Sequence, residues 1–338
     1  MNKKELKKGQ KVRHSGHLVD QKLKPSGSLG DPDFLTTLSS ETQEKIHLCP
    51  IENIRAEGIR LTPSQDKLLN ALFKLLHDKS ENRNTQSENF YGGNFEKEMV
   101  QYGGKGQTAY SPKIRIFPSE LYKSYMGHDN YSGADITFIK RVLRDTESQK
   151  FLIIYDRKRE IKTEKGKKEI LTDRIEAFQS LFKIISFFEG LTEEEVQTLD
   201  QGDESLREKR GELIIALNPL LTDQINSKYV EYPSDINKRM VIAAGGHRLV
   251  TESMIALRDY MLRELSARRF QPEINEEKLF LILKLEKYLK SKRKKLIQQR
   301  TEDAIQFAKS LGLIEDYERI IGASGQWKYI FHLNKGFS

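Results

Sequence analysis

Leu68, Leu69, Leu72, Leu75 and Leu76 recur three and four residues apart, which places them on one face of a 3.6-residue helix. Thr62, Pro63 and Gln65 precede them as N-cap, first helical position and reciprocal capping-box partner, so the pattern predicts a helix opening at Thr62. A short strand follows over Lys113 to Phe117, then a helix from Pro118 to Met126 closed by Gly127. Ser132, with Asp135 three residues on, caps a further helix that turns Ile136, Ile139, Val142 and Leu143 to a core. Phe151 to Tyr155 is an apolar β-type run, Arg157 to Lys168 a basic turn, and Arg174 to Phe188 the returning strand.

The same order of elements comes again at the C-terminal end. His247 to Leu265 is amphipathic, Asn275 caps a short helix carrying Leu279, Phe280, Ile282 and Leu283, and Lys284 to Lys290 is a charged turn. A longer helix then puts Ile297, Ala304, Ala308 and Leu311 on one side, flanked by Leu296, Ile305 and Phe307, with Lys292, Lys295, Gln298, Gln299 and Gln306 opposite. Beyond Gly312, two runs are joined by Gly322-Ala323-Ser324-Gly325, and Trp327, Tyr329, Phe331 and Leu333 alternate with Lys328, Ile330 and His332 as in a half-buried hairpin. The pattern therefore predicts an α+β chain of two tandem winged-helix domains. The first covers residues 46–190 and contains a long loop, 79–111; the second covers 211–338. Between them, 191–210 is an acidic linker, and 1–45, with few apolar residues, is a disordered basic tail. Glu212 to Leu217 opens the second domain as a strand, with helices over Thr222 to Tyr229 and Ser234 to Ala244.

Charge changes this picture from fold to partner. The 338 residues carry a formal net charge of +8, which favours an anionic partner such as nucleic acid. Between Lys284 and Arg300 eight basic residues face one acid, Glu286. A recognition helix buries one face, reaches phosphates with long donors at its N-terminal end and reads adenine edges with amides. The candidate double-stranded DNA contacts are accordingly Lys290, Ser291, Lys292, Arg293, Lys294, Lys295, Gln298 and Gln299, with Lys328 from the second wing and Arg157, Lys158, Lys165, Lys167 and Lys168 from the first. The plainer reading of such a charge run is a solvated helix.

No sequence signature points to catalysis, a cofactor or a metal, and the expectation is a non-enzymatic protein. Tyr91-Gly92-Gly93 and Gly103-Gly104-Lys105-Gly106 lack Walker spacing, and Glu160-Ile161-Lys162 is a nuclease-like triplet inside a charged turn. His14, His17, His47 and Cys49 fit no zinc spacing and read as surface residues. A single cysteine and the lack of an apolar run of about eighteen residues suggest a cytoplasmic chain without a membrane partner.

Several tracts resemble a known family. Ser111-Pro112-Lys113-Ile114-Arg115-Ile116, Phe151-Leu152-Ile153, Phe188-Glu189-Gly190-Leu191-Thr192-Glu193-Glu194-Glu195 and the block from Ile274 through Ala304-Ile305 to Leu313 are similar to the chlamydial virulence-plasmid protein two family. That resemblance implies a plasmid-borne role in replication or maintenance. More remotely, the doubled element order is similar to the two-winged-helix initiators of iteron plasmids, which implies a dimerising first module, an origin-reading second one, and replication or partition proteins as further partners. The alternative is a protein-interaction module or a transcriptional regulator of plasmid genes.

Overall fold

A computed structural model describes residues 11–24, 52–57, 60–79, 97–98, 111–162, 168–187, 191–202, 206, 211–218, 221, 229–323 and 325–337. In chain order the elements are β1 (Lys11–Ser15), α1 (Gly16–Leu23), β2 (Glu52–Glu57), α2 (Pro63–Lys79), β3 (Lys97–Glu98), β4 (Ser111–Ile116), α3 (Pro118–Met126) and α4 (Gly133–Ser148). Then come β5 (Phe151–Lys162), β6 (Lys168–Gln179), β7 (Phe182–Phe187), α5 (Glu193–Asp200), β8 (Glu212–Leu217), β9 (Tyr229–Pro233) and α6 (Ile236–Ala244). The chain closes with α7 (Glu252–Ser266), β10 (Glu273–Asn275), α8 (Glu276–Ile282), α9 (Glu286–Lys290), α10 (Lys294–Ser310), β11 (Ile314–Ile321) and β12 (Trp327–Leu333). The fold is α+β, with small antiparallel sheets.

Local chemistry opens the helices where the sequence reading expects. The Thr62 N–H donates to Gln65 Oε1 at 2.9 Å, and the Ser132 N–H donates to Asp135 Oδ2 at 2.8 Å, so orphan donors at both N-termini are satisfied. Leu68, Leu72, Leu121 and Ile139 pack with Ile114, Phe182 and Ile215 in one core. A second core joins Leu257, Met261, Leu279, Ile305, Phe307 and Phe331. The first core carries a sheet of order β3-β4-β8-β7, in which α5 lies between β7 and β8 along the chain, and the second a sheet of order β10-β12-β11 that ends in a hairpin.

Several expectations change. The closing hairpin of the first unit is not the Phe151–Phe188 run, because Ser180 and Leu181 break the returning strand into β6 and β7. β5 and β6 pair along twelve positions and form a separate sheet with β2. Their register sets Asp156 opposite Arg174 and Arg157 opposite Asp173, so pairing continues through residues expected to form a basic turn. In place of that hairpin, β7 is joined by β8, and Ile114 stands opposite Ile215 across β4 and β8. The strand expected to open the second domain thus completes the first core, since Ile214, Ile215 and Leu217 are apolar neighbours on a strand with partners on both edges. Part of the acidic stretch is the helix α5, with Thr192 as its cap, and Tyr229 begins a strand instead of ending a helix. The helix expected from His247 begins at Glu252, after a 3-10 turn over His247–Leu249. Of loop 79–111, only Lys79, β3 and Ser111 are among the described residues.

A further change concerns the expected tail. Lys11–Ser15 pairs with β9, and α1 follows it into the interior, so residues 11–23 are folded. Val12 and Leu18 belong to the first core, whereas Val19 and Leu23 belong to the second. A short segment with few apolar residues is held there because its polar groups find partners. Lys22 Nζ contacts Asp66 Oδ1 of α2 and Asp259 Oδ2 of α7, each at 2.5 Å. Arg258 Nη2 lies 2.9 Å from Asp66 Oδ2, the Arg258 Nε–H donates to Asp259 Oδ1, and the Tyr232 hydroxyl donates to the same oxygen at 2.9 Å. Two cations and two carboxylates therefore neutralise one another where α1, α2, β9 and α7 meet.

His14, expected at the surface, is buried between Phe73 and Tyr232, with ring centroids 4.2 and 3.8 Å away. Burial, reinforced by the nearby Lys22 ammonium, pushes its pKa well below the ordinary 6.5. The unfolded chain accepts a proton that folded His14 resists, so this stability is present above about pH 6.5 and is lost as pH falls. We expect thermal stability to decline below that pH in the wild type and to decline less in His14→Gln. Parallel pH profiles for the two proteins would remove His14 as the cause.

Candidate nucleic-acid interface

The C-terminal cationic segment is shaped by two helix ends. After α8 the Lys284 N–H donates to the Leu281 carbonyl and the Leu285 N–H to the Phe280 carbonyl. After α9 the Lys292 N–H donates to the Leu289 carbonyl and the Arg293 N–H to the Tyr288 carbonyl. Both are Schellman closures, in which the C′ residue is left-handed and is usually glycine. Here that position holds Lys284, with φ of 60°, and Lys292, with φ of 53°. A β-carbon in this region costs about 1 kcal/mol, and strain of this kind clusters at functional sites.

Lys284, one of the eight basic residues of this segment, turns inward. It is buried, and its Nζ donates to the carbonyl of Lys24 at the end of α1, so it anchors the folded N-terminal segment. Lys290, Ser291, Lys292, Arg293, Lys294 and Lys295 are exposed and lead straight into α10. None of these five cations has an ion pair with a described residue. Along α10, Ile297, Thr301, Ala304, Ile305 and Ala308 face inward, while Gln298 and Gln299 are exposed and held by no described residue. Gln306 is tied to Glu302 at 2.6 Å. The first turn of α10 contains Lys294 and Lys295 and no acid. A helix N-terminus carries about half a positive charge, so lysines there oppose the dipole unless an anion lies in front of them.

The C-terminal hairpin of β11 and β12 differs from its expected chemistry. Lys328 Nζ is 2.6 Å from Glu273 Oε2, and Arg319 Nη2 is 2.7 Å from Glu276 Oε1, so these cations brace the hairpin against β10 and α8. At its tip Ile321 and Trp327 are exposed, and the Arg319 guanidinium lies 4.3 Å from the Trp327 ring. In the first unit, Arg157, Lys158 and Lys168 stand on β5 and β6, while Lys165 and Lys167 lie outside the described residues. Five exposed cations without an ion pair to any described residue are thus grouped at the α9–α10 turn.

One surface and one partly buried contact have no role expected from the sequence. The outer face of α4 presents Thr137, Phe138, Arg141 and Arg144, opposite buried Ile139, Val142, Leu143 and Thr146. The helical period that found its core face marks this one as well. Elsewhere, Lys67 Nζ lies 2.9 Å from His247 Nδ1 and 4.4 Å from the Tyr125 ring, tying α2 to the 3-10 turn before α7. Burial brings the Lys67 ammonium down to about 8.

Among the described residues no helix is long and apolar enough to cross a membrane. No family model matches the chain, and no solved structure matches it. Over 96% of this chain and 92% of the relative, the sequence is 24% identical to virulence plasmid protein pGP2-D of Chlamydia psittaci. It is 26% identical to pGP2-D of Chlamydia muridarum and 25% identical to pGP2-D of Chlamydia trachomatis, in each case over 66% of this chain and 68% of the relative. The resemblance to chlamydial virulence-plasmid proteins therefore extends through both units. The names of these relatives say nothing of DNA or of replication.

Proposed function

We propose that this chain, similar along nearly its whole length to chlamydial virulence-plasmid proteins, is a non-enzymatic double-stranded DNA-binding protein that serves plasmid replication or maintenance. In this reading both units are winged helices, and the N-terminal half of α10 enters a major groove. The observation that carries it is the N-terminal end of α10: five exposed cations without ion pairs to described residues, no acid in the first turn, and Lys292 held in a strained conformation. Phosphates would satisfy the helix dipole and the lysines together. Gln298 and Gln299, one turn further on, would then reach base edges.

A salt titration tests this. If five cations neutralise phosphates, log K should fall against log salt with a slope of about −4 to −5. Lys295→Ala should weaken binding to all duplexes alike and flatten that slope by about one unit. Gln298→Ala or Gln299→Ala should instead lose about 1–3 kcal/mol on the preferred site and little on random DNA. A flat salt response would sink the reading and move a protein partner, facing the exposed Trp327 and Ile321 at the wing tip, into first place.

Lys292 permits a sharper test, because its two roles act in opposite directions. Lys292→Gly should relieve the left-handed strain and stabilise the fold by about 1 kcal/mol, raising the melting temperature by roughly 2–4 °C. It should also remove one phosphate contact and flatten the salt slope. Higher stability with unchanged DNA affinity would mean that this lysine has no phosphate partner.

A further inference from the structure

We infer that α4 is a second DNA-reading helix, so that one chain engages two separate segments of a duplex at a fixed spacing. This rests on the DNA-binding reading above and adds a second contact with its own chemistry. α4 follows β4 and α3 as α10 follows β10, α8 and α9, and the strand before each helix group pairs with the later strand of an antiparallel pair, β8 beside β7 and β12 beside β11, with β5, β6 and α5 inserted in the first unit alone. The two helices therefore hold corresponding places in two units that share the strand orders β4-β8-β7 and β10-β12-β11.

The outer face of α4 suits base edges better than phosphates. Thr137, Phe138, Arg141 and Arg144 lie along it, and Ala134 in the first turn is small enough to let a groove wall approach. No described residue forms an ion pair with Arg141 or Arg144. The Arg141 guanidinium lies 5.3 Å from the ring of Phe138, which is 38% exposed. An arginine fork matches the O6 and N7 acceptors of guanine, and an aromatic edge matches the thymine methyl group. Of the acids on α4, Asp135 accepts the N–H and hydroxyl of Ser132, and Glu147 accepts the Ile184 N–H at 2.7 Å. Asp145 is the one exposed acid beside the arginines. With two cations against one carboxylate, this face contributes selectivity, whereas the lysines before α10 contribute affinity.

Fixed spacing follows from the joint between the units. Asp66 of α2 and Arg258 of α7 are fully buried partners, and Asn237 of α6 donates to the Lys67 carbonyl of α2 at 2.9 Å. The two helices cannot be reoriented independently without breaking that joint.

The test uses the full chain and the tightest duplex selected from a random library, read by hydroxyl-radical footprinting. Two protected segments are expected, and inserting about 5 bp, half a helical turn, between them should weaken binding at least tenfold. Arg141→Lys and Arg144→Lys keep the charge but lose the planar fork. Each should relax base preference in one segment only, with at least a tenfold loss on the selected site and less than threefold on random DNA. Because both side chains are exposed, the melting temperature should not move. A single protected segment, or two segments whose preferences ignore both arginines, overturns the proposal. If Lys295→Ala still weakens binding in that case, the α10 reading stands and only the second contact is lost. If Lys295→Ala is also silent, both fall.

Discussion

Arg258→Ala is expected to destabilise the protein by about 3–5 kcal/mol, close to the total stability of many domains. Arg258 has no exposed side-chain surface, and it contacts both Asp66 and Asp259, each 1% exposed. Its removal leaves two buried carboxylates sharing Lys22, and water cannot solvate them without opening the joint. Burial alone would push the Asp66 carboxyl up, but the Arg258 guanidinium and the Lys22 ammonium override it and hold it far below the usual carboxylate range. The stability from Asp66 is therefore present above about pH 4, where the unfolded carboxyl is ionised, and is lost as pH falls further. Arg258→Ala combined with Asp66→Ala should cost clearly less than the sum of the single changes, because the two share one interaction. Urea denaturation at neutral pH supplies these values. A loss below about 1 kcal/mol for Arg258→Ala would mean that water already reaches the site.

The second large effect is expected from two neighbours on α1. Leu18→Ala should cost about 2–5 kcal/mol and Val19→Ala somewhat less, through lost burial and a residual cavity. Leu18, 1% exposed, lies in the core built on α2 and α4, and Val19, fully buried, lies in the core built on α7 and α10. Adjacent residues thus wedge two cores apart while filling both. Leu18→Ala should lower protection from hydrogen exchange first in α2 and α3, and Val19→Ala first in α7. Identical exchange changes for both variants would show that the two cores open as one unit.

What could be read from the sequence depended on how local the cause was. Capping at Thr62 and Ser132, the leucine stripe of α2 and the inner face of α10 depend on residues within one or two turns, and they stand where the pattern put them. The pairing of β8 was not legible, because Glu212–Leu217 is an apolar run and period alone does not say which strand, a hundred residues away, lies beside it. The N-terminal segment was misread for a related reason. Lys22 and His14 look like surface residues until Asp66, Asp259 and Tyr232, distant in sequence, are placed around them. At the candidate interface, helical period separated Gln298 and Gln299 from the core side. It carried no information that Lys284 turns inward to Lys24 or that Lys328 is taken by Glu273.

The pairing of β1 with β9 also has a consequence for how the protein is made. Lys11 and Glu231, which bond across these strands, are 220 residues apart. At about 5–20 residues per second, the first strand leaves the ribosome some ten to forty seconds before its partner exists. During that interval Val12, Leu18, Val19 and Lys22 have no complete site, so newly made chain carries an apolar, positively charged end available to chaperones. Slow, late closure of such long-range contacts is what loop entropy predicts. Nascent chains stalled before residue 229 should therefore leave Lys11–Leu23 open to protease, and chains released at full length should protect it.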